Sequence, residues 1–245
     1  MKRIQLTVAY DGAAYHGWQF QPGQPTIEGE LNRQLSALLG KEIMVIGASR
    51  TDTGVHSLCN IAVFDTDSTI PPDRFSYALN QRLPEDIRVR SSKEVEPDFH
   101  PRKVACRKTY EYRIVNEPFE NPLERRYSYF VYTPLNMENM RRAAAYLVGE
   151  HDFSAFCAAG STAKSTIRTI YHLELVKEES LIRIRITGNG FLYNMVRIIA
   201  GTLIEVGKGR KRPEEVERIL KEGKRILAGP TAPATGLILV NYEFT

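Results

Sequence analysis

The sequence has 245 residues, of which 42% are hydrophobic and 25% are charged, and its formal net charge is +4. This composition excludes a disordered chain, and the length suffices for one large domain or two ordinary ones. The three cysteines form no C-x-x-C pair, so they predict neither a disulfide framework nor a zinc site and favour a reducing cytoplasm. No stretch reaches transmembrane length, and the apolar residues of 4–10 alternate with polar ones, so we expect a soluble, intracellular protein without a signal peptide.

The first half of the chain has the periodicities of alternating strands and helices. Apolar residues recur with period 2 over 4–10 and with helical spacing over 27–39, where Thr26 has the side chain of an N-cap and Gly40 provides the stop. The predicted elements of this half are strands at 4–10, 43–46, 61–64 and 87–90, and helices at 27–39 and 71–79. Strand, helix, two strands, helix, strand is the order of a ferredoxin-like unit.

Residues 47–56 are predicted to form a loop between two strands. Within this loop Asp52 lies two residues from Arg50, among hydroxyl side chains that donate to an oxygen anion. Such surroundings keep an aspartate ionised and suit a nucleophile or a base. The alternative is that Asp52 and Gly54 only close a turn, because Asp and Gly are common turn residues. His56 is interpreted as a hydrogen-bonding residue that fixes the loop, not as a metal ligand.

A second loop is predicted at 13–25, and it contains the only tryptophan, Trp18. The indole ring of Trp18 is either a core residue or a platform on which a nucleobase stacks. Asp11 and Gly12, which precede this loop, are residue types of a turn that ends the first strand.

A boundary is predicted at 97–101, which gives domains of 1–98 and 99–245. The predicted elements of the second half are strands at 108–114, 171–176, 181–187 and 237–240, and helices at 137–147, 191–206 and 213–220. This succession repeats the order of the first half and suggests an internal duplication. The predicted fold class is therefore α+β, with two ferredoxin-like, or RRM-like, halves.

Cations and aromatic rings occur together after the boundary. Four cations within seven residues precede or begin the strand at 108–114: Arg102, Lys103, Arg107 and Lys108. Tyr110 and Tyr112 then follow on one face of this strand, because alternate residues of a strand point to the same side. Cations beside aromatic rings suit a nucleotide, although most charge runs are simply solvated. In the strand at 181–187, isoleucines alternate with Arg183, Arg185 and Thr187, which predicts one core face and one cationic face.

The predicted helix at 191–206 is apolar on nearly every side, which is typical of a buried helix. Arg197 lies in its middle, and a buried guanidinium needs an anionic partner because desolvation of an unpaired ion is costly. One hypothesis is a pair with Asp52, the acid most in need of a cation, whose carboxylate the arginine would orient and keep ionised. The alternative is a structural ion pair with another acid.

Several motifs of nucleotide and metal enzymes do not occur in the sequence. There is no phosphate-binding loop of the form G-x-x-x-x-G-K-[ST], no H-E-x-x-H motif and no zinc-deaminase motif. Basic residues at 208–212 suit either phosphate contact or solubility. Any reaction is therefore expected to use carboxylate, tyrosine and arginine side chains.

Longer motifs extend through the whole chain. They are Y-D-G at 10–12, G-W-Q at 17–19, R-T-D-x-G-V-H at 50–56, K-x-Y-x-Y-R at 108–113, G-F-L at 190–192, M-V-R at 195–197, and A-P-A-x-G-L at 232–237. On these motifs, in this order, the chain resembles the bacterial tRNA pseudouridine synthase A family. Thr53 and Ser57 stand where that family more often has alanine, a small change that puts none of the roles in doubt.

The resemblance implies a role for each matching residue. Asp52 would be the nucleophile, Tyr110 the ring that meets the uracil, and Arg197 the partner of the aspartate. Arg50 would help to extrude the target base, and Leu237 would pack against the pocket. Whether Asp52 attacks the ribose C1′ or the uracil C6 stays open at this point, as does whether Tyr110 stacks on the uracil or removes a proton.

The resemblance also implies a fold and a reaction. The two ferredoxin-like halves would share a mixed, mainly antiparallel sheet, with helices on one side and the active site in a central cleft. The implied reaction isomerises uridine to pseudouridine at positions 38, 39 and 40 of the anticodon stem-loop of tRNA. Because it breaks the N-glycosidic bond and rejoins the uracil through carbon without redox change, it implies no cofactor and no metal. The expected partners are tRNA and a second copy of the chain in a cytoplasmic homodimer, with no membrane.

Two other functions fit parts of the sequence. A non-catalytic RNA-binding module of RRM-like fold would also carry cationic, aromatic strands, but it has no need of a carboxylate that repels phosphate. A glycosidase-like hydrolase would require a second catalytic carboxylate, and no acid is well placed for that role. Isomerisation of uridine in RNA is therefore the favoured prediction.

Overall fold

The computed structural model describes all 245 residues and contains ten β-strands and five α-helices. This content confirms the predicted α+β class. The chain divides into two compact units, one made of Met1–Cys106 with Leu239–Thr245, and the other of Arg107–Ile238. The predicted domains of 1–98 and 99–245 stay a prediction. None of the helices is long and apolar enough to cross a membrane.

The first unit contains four strands and two helices in the predicted order. They are β1 (Lys2–Tyr10), α1 (Ile27–Leu39), β2 (Ile46–Gly47), β3 (His56–Thr66), α2 (Phe75–Asn80) and β4 (Ile87–Val95). Strand β1 is antiparallel to both β3 and β4, and the short strand β2 pairs with β3. Strand β3 thus connects the predicted loop at 47–56, which carries Asp52, directly to β1 and β2.

Helix α1 begins and ends where the sequence predicts. The hydroxyl of Thr26 accepts a hydrogen bond from the backbone N–H of Gly29, and Gly40 ends the helix in the left-handed conformation, with φ of 66°. The buried face of α1 packs with β1 in a core that holds Ile4, Leu6, Val8, Leu31, Leu35, Phe64 and Phe75. Burial of these apolar side chains holds the strands against the helix.

The strand predicted at 43–46 is wrong except for its last residue. The backbone N–H of Ile43 donates to the hydroxyl of Ser36 at 2.9 Å, and that of Val45 donates to the amide oxygen of Asn32 at 2.8 Å. Both acceptors belong to α1, so side chains of the helix bind the backbone groups that a strand would offer to a neighbouring strand. Strand β3 in turn begins at His56, earlier than predicted.

The second unit contains most of the remaining elements. They are β5 (Cys106–Val115), β6 (Tyr129–Phe130), α3 (Met137–Ala145), β7 (Gly149–Asp152), β8 (Ile167–Glu178), β9 (Leu181–Gly188), α4 (Met195–Gly207) and α5 (Glu215–Glu222). The last strand, β10 (Leu237–Phe244), begins in the second unit, and its residues from Leu239 belong to the first. Strand β9 is antiparallel to β5 and β8, and β7 is antiparallel to β8. The sequence predicts neither β6 nor β7, because two to four residues are too few to show a period.

The cationic face predicted for β9 is wrong, because carboxylates neutralise its arginines. Arg185 lies 3.3 Å from Glu111 on β5, which Arg113 also contacts at 2.7 Å. Arg183 is paired with Glu178 of β8. The alternation is as predicted, but the neighbouring strands supply acids opposite the arginines.

Candidate active site

The loop that carries Asp52 alternates between buried and accessible residues. Ser49 and Thr51 are buried, whereas Arg50 is exposed and Asp52 is half-buried. Arg50 and Asp52 are therefore the residues of this segment that reach the accessible surface. The backbone N–H of Ala48 donates to the carbonyl of Ile61 at 2.7 Å, which attaches the start of the loop to β3.

A tight turn follows Asp52. The backbone N–H of Val55 donates to the carbonyl of Asp52 at 3.1 Å, and Gly54 adopts a positive φ of 78°. The prediction that Asp52 takes part in a turn is therefore correct for its backbone. Because the turn uses the carbonyl and not the carboxylate, it does not compete with a chemical role of the side chain.

His56 fixes the end of this turn, as predicted. Its Nδ1 lies 3.1 Å from the backbone nitrogen of Gly12 and 3.1 Å from a carboxylate oxygen of Asp11. The ring is almost fully buried. His56 thereby joins the first residue of β3 to the turn that follows β1.

The segment 11–18 lies directly against the loop of Asp52. The backbone N–H of Trp18 donates to the carbonyl of Thr51 at 3.0 Å. A Cβ on Gly12 would lie 2.0 Å from the carbonyl oxygen of Val55, and one on Gly17 would lie 2.4 Å from that of Thr51. Both glycines are therefore required by the close approach of two backbones.

Trp18 is a core residue and not a stacking platform. Its side chain is fully buried, and its ring centroid lies 5.9 Å from that of Tyr10. A Cβ on Gly47 would lie 2.2 Å from the indole nitrogen, so the ring fills the space beside the last residue of β2. The alternative in which Trp18 stacks on a base is thereby excluded.

Tyr110 and Tyr112 share one face of β5 as predicted, but both point inward. Tyr110 is 7% exposed, and its ring contacts Phe191 edge to face at 5.3 Å between centroids. Tyr112 is 0% exposed and donates its hydroxyl to the carbonyl of Pro233 at 2.8 Å. Burial raises the pKa of Tyr112 far above its ordinary value. The interpretation of Tyr112 as a ring for a nucleotide is therefore wrong, because it is part of the core.

Arg197 lies near the beginning of α4 and not in the middle of a helix. The helix starts at Met195, four residues later than predicted, because Asn194 adopts a left-handed conformation with φ of 59°. The guanidinium is half-buried and donates to the carbonyl of Ala232 and to the side-chain oxygen of Asn194, both at 2.7 Å. These neutral acceptors fix its direction. The pair with Asp52 stays a prediction.

Leu237 is the first residue of β10 and is 5% exposed. The residue before it, Gly236, lies so close to the ring of Tyr112 that a Cβ there would approach it to 2.8 Å. Leu237 is therefore buried, as we expect of a residue that packs against a pocket. Its role at the pocket stays a prediction.

Sequence reasoning missed three residues that hold the loop. Tyr10 and Asn60 contact its buried side, and Arg102 donates from Nε to the carbonyl of Gly47 at 2.6 Å. Asn60 has a recognisable signal, because it is the polar residue just before the apolar run at 61–64. Arg102 belongs to the cluster of cations at 102–108, and nothing in that pattern indicates a contact with Gly47.

The arrangement offers a carboxylate and an exposed guanidinium on a loop whose backbone is bound on several sides. No group of three or more His, Cys, Asp or Glu side chains is arranged to hold a metal ion. A rigidly held carboxylate suits nucleophilic attack, and a nearby guanidinium suits contact with a base or a phosphate.

Comparison with known proteins identifies the family. A family described as tRNA pseudouridine synthase matches residues 6–102 and 143–245, which include Arg50, Asp52, Arg197 and Leu237 but not Tyr110. The tRNA pseudouridine synthase A of Acetivibrio thermocellus is 50% identical over 244 residues, and that of Ruminiclostridium cellulolyticum is 50% identical over 245 residues, with 100% of each chain covered.

Similarity to solved structures is much weaker. A chain of an H/ACA RNP bound to a substrate RNA containing 2′-deoxyuridine is 11% identical, with a TM-score of 0.38, and the match covers 82% of this chain and 44% of that one. That likeness is too low to support an argument. The matches over the full length decide the question: the chain belongs to the tRNA pseudouridine synthase family.

Proposed function

We propose that this isomerase converts uridine to pseudouridine at positions 38, 39 and 40 of the anticodon stem-loop of tRNA, with Asp52 as the nucleophile. One observation carries the assignment of Asp52. Arg50 and Asp52 are the accessible members of an alternating segment whose other members, Ser49 and Thr51, are buried. A loop that keeps one carboxylate and one guanidinium accessible is suited to reaction with an extruded base.

The proposed reaction needs a nucleophile but no redox partner. The carboxylate of Asp52 attacks either the ribose C1′ or the uracil C6, and the bond between N1 and C1′ breaks. The uracil then turns and C5 bonds to C1′, the bond to Asp52 breaks and restores the carboxylate, and the proton displaced from C5 is lost while N1 gains one. Atoms and electrons balance within the nucleotide, so the reaction calls for no cofactor.

The resemblance to the tRNA pseudouridine synthase A family supports the other proposed roles. Arg50 is exposed and fills the space of an extruded base or contacts its phosphate. Tyr110, which is held edge to face against Phe191, presents its ring to the uracil. Arg197 orients the carboxylate of Asp52, and Leu237 packs against the pocket.

The test of this function is to incubate the protein with unmodified tRNA, map pseudouridine, and repeat with Asp52→Ala and Asp52→Asn. We expect product at positions 38, 39 and 40 with the wild type and none with either variant. Asp73→Asn, at an exposed aspartate outside the loop, is the matched control and keeps full activity. Product formation by Asp52→Asn at the wild-type rate would exclude the nucleophile.

The alternatives are distinguished in the same experiment. A protein that binds tRNA but leaves every uridine unchanged would behave as an RNA-binding module, and release of free uracil would indicate a hydrolase. Product at other positions would retain the isomerase and overturn the anticodon stem-loop as its target.

We also propose that the protein acts in the cytoplasm as a homodimer on one tRNA. The resemblance to the tRNA pseudouridine synthase A family supports this assembly. Sedimentation of the purified protein tests it, because a mass of about twice 27.8 kDa is expected. A monomer that is fully active would overturn it.

A further inference from the structure

A network of connected hydrogen bonds binds the buried side of the Asp52 loop. Ser49 and Thr51 point into the first unit, and the residues that meet them there come from β1 and β3. The geometry of this hydrogen-bond network decides where Arg50 and Asp52 are held.

Asn60 holds the backbone of Ser49 through both atoms of its amide. The side-chain oxygen accepts from the N–H of Ser49 at 3.3 Å, and the side-chain nitrogen donates to the carbonyl of Ser49 at 2.9 Å. Asn60 is fully buried, and its oxygen also accepts from the N–H of Ile61 at 2.9 Å. A fully bonded buried amide has little freedom to move, so Ser49 is fixed immediately before Arg50.

Tyr10 connects this amide to Thr51. The nitrogen of Asn60 donates to the hydroxyl oxygen of Tyr10 at 3.3 Å, and that hydroxyl lies 2.8 Å from the hydroxyl of Thr51. An amide nitrogen only donates, so the phenol oxygen accepts there and its own proton is available to Thr51. Burial raises the pKa of Tyr10 well above its ordinary value, so the phenol keeps this proton.

This hydrogen-bond network therefore holds both neighbours of Arg50. Ser49 is bound through its backbone and Thr51 through its side chain, while the carbonyl of Thr51 also accepts from Trp18. Because Arg50 lies between these two residues and Asp52 directly follows Thr51, fixing Ser49 and Thr51 restricts the directions that Arg50 and Asp52 adopt.

We propose that Tyr10 is a positioning residue for the isomerisation, which orients Asp52 and Arg50 through Thr51 and Asn60. This inference rests on the proposed function of Asp52. Tyr10 does not meet the substrate, because its hydroxyl lies on the buried side of the loop. It acts by keeping the carboxylate at the distance and angle that attack on the nucleotide requires.

The test is the variant Tyr10→Phe, which keeps the ring against Trp18 and removes only the hydroxyl. We expect kcat to fall about tenfold to a hundredfold, the order of effect that a displacement of 1 Å has on a reacting group, with little change in KM. Thr51→Val is expected to have the same effect, whereas Thr51→Ser, which keeps the hydroxyl, is expected to retain activity. The double variant Tyr10→Phe, Thr51→Val should lose no more than either single variant, because both break one connection.

Tyr15→Phe is the matched control. Tyr15 is 8% exposed against 5% for Tyr10, and its hydroxyl donates to Asp86 at 2.7 Å instead of to the loop. Each variant loses one phenol hydroxyl, which is bonded to Thr51 and Asn60 in the case of Tyr10 and to a carboxylate in the case of Tyr15, so a purely structural role predicts similar melting temperatures and similar kcat. A kcat of Tyr10→Phe within twofold of that of Tyr15→Phe would overturn the proposal.

Amide hydrogen exchange in the absence of tRNA separates this inference from the proposed function. We expect residues 48–52 to exchange faster in Tyr10→Phe than in Tyr15→Phe, because the loop loses its connection to β1. Unchanged exchange would overturn the positioning role even in an active enzyme. If exchange is faster in Tyr10→Phe but the wild type forms no pseudouridine, then Tyr10 holds the loop and the proposed function is refuted.

Discussion

The hydroxyl of Ser49 is a buried group without a hydrogen-bond partner. The residue is 4% exposed, and its side-chain oxygen meets no donor or acceptor. A buried hydroxyl in this state costs about 1–3 kcal/mol of stability. The backbone of Ser49, in contrast, is bound on both sides by Asn60. The position therefore depends on the main chain and not on the serine side chain.

We expect Ser49→Ala to leave the free energy of unfolding unchanged or to raise it by about 1 kcal/mol, because it removes an unsatisfied group without creating a large cavity. Denaturation in urea measures the change. Ser57→Ala is the control, since Ser57 is 1% exposed and its oxygen accepts from the N–H groups of Cys59 and Asn60. That substitution should cost about 1–3 kcal/mol. Equal losses in both variants would contradict the prediction.

Strands β1 and β3 are joined by a forked ion pair. Arg3 and Asp65 are register partners, and the guanidinium donates from Nε and Nη2 to the two carboxylate oxygens, each at 2.7 Å. The hydrogen bond with Arg3 lowers the pKa of Asp65. Because the folded-state pKa lies below the unfolded one, the stabilisation exists above the unfolded pKa, near ~3.9, and is lost as the pH falls through the folded value.

Asp65→Asn therefore changes how stability depends on pH. At pH 7 we expect the variant to be less stable by about 1 kcal/mol at most, since the pair is partly exposed. Below about pH 4 the difference should shrink, because the wild-type carboxylate is then protonated as well. Urea denaturation from pH 2 to pH 7 measures both curves. Parallel curves over this range would refute the assignment.

The segment 11–18 acts as a support for the Asp52 loop, and Gly17 tests that contact. Gly17 combines a positive φ of 83° with an approach that would place a Cβ 2.4 Å from the carbonyl oxygen of Thr51. Gly23 has a similar φ of 75°, but nothing lies within 4 Å of its Cβ position. The two glycines therefore share the conformational requirement and differ in the contact.

Gly23→Ala should cost about 1–2 kcal/mol, which is the price of the left-handed conformation alone. Gly17→Ala should cost about 1–3 kcal/mol more, because the methyl group displaces the backbone of the loop. It should also lower kcat, whereas Gly23→Ala should not. Thermal unfolding and the initial rate on tRNA measure the two effects, and equal results for both variants would exclude a supporting role of the segment.

At the scale of the whole molecule, the chain ends in the unit where it began. Residues Leu239–Thr245 of β10 belong to the first unit, although Arg107–Ile238 form the second. The ring of Phe244 contacts Phe99 edge to face at 5.1 Å, and the N–H of Thr245 donates to the carbonyl of Ala105 at 2.9 Å. The last residues thus stabilise a unit formed mainly by the first hundred.

We expect Phe244→Ala to lower the free energy of unfolding by about 1 kcal/mol or more, because it removes an aromatic pair together with buried area. Amide exchange should show the loss in the first unit, at β1 and β3, and not at β8 and β9. Phe244→Tyr keeps the ring and serves as the control. Faster exchange confined to the second unit would contradict this assignment of the last strand.

The extent of sequence prediction differs between local and long-range features. Helix α1 with Thr26 and Gly40, the hairpin of β8 and β9, and the loop at Asp52 have signals within a few consecutive residues, so the sequence predicts them. The absence of a strand at 43–45 depends on Ser36 and Asn32, whose side chains reach this segment only once α1 is packed. The late start of α4 depends on the left-handed Asn194, which apolar periodicity does not reveal.

The sequence by itself determined the order of the helices and the longer strands, the family, and the loop with Arg50 and Asp52, because chain periodicity and contiguous motifs are local properties. Only the tertiary structure decided that Trp18 and Tyr112 are core residues, that acids neutralise the arginines of β9, and which residues lie behind the loop. The hydrogen bonds from Asn60 through Tyr10 to Thr51 join residues up to 50 positions apart, and the burial of a side chain likewise depends on residues distant in the sequence. Their contacts exist only in the folded chain, so no local pattern encodes them.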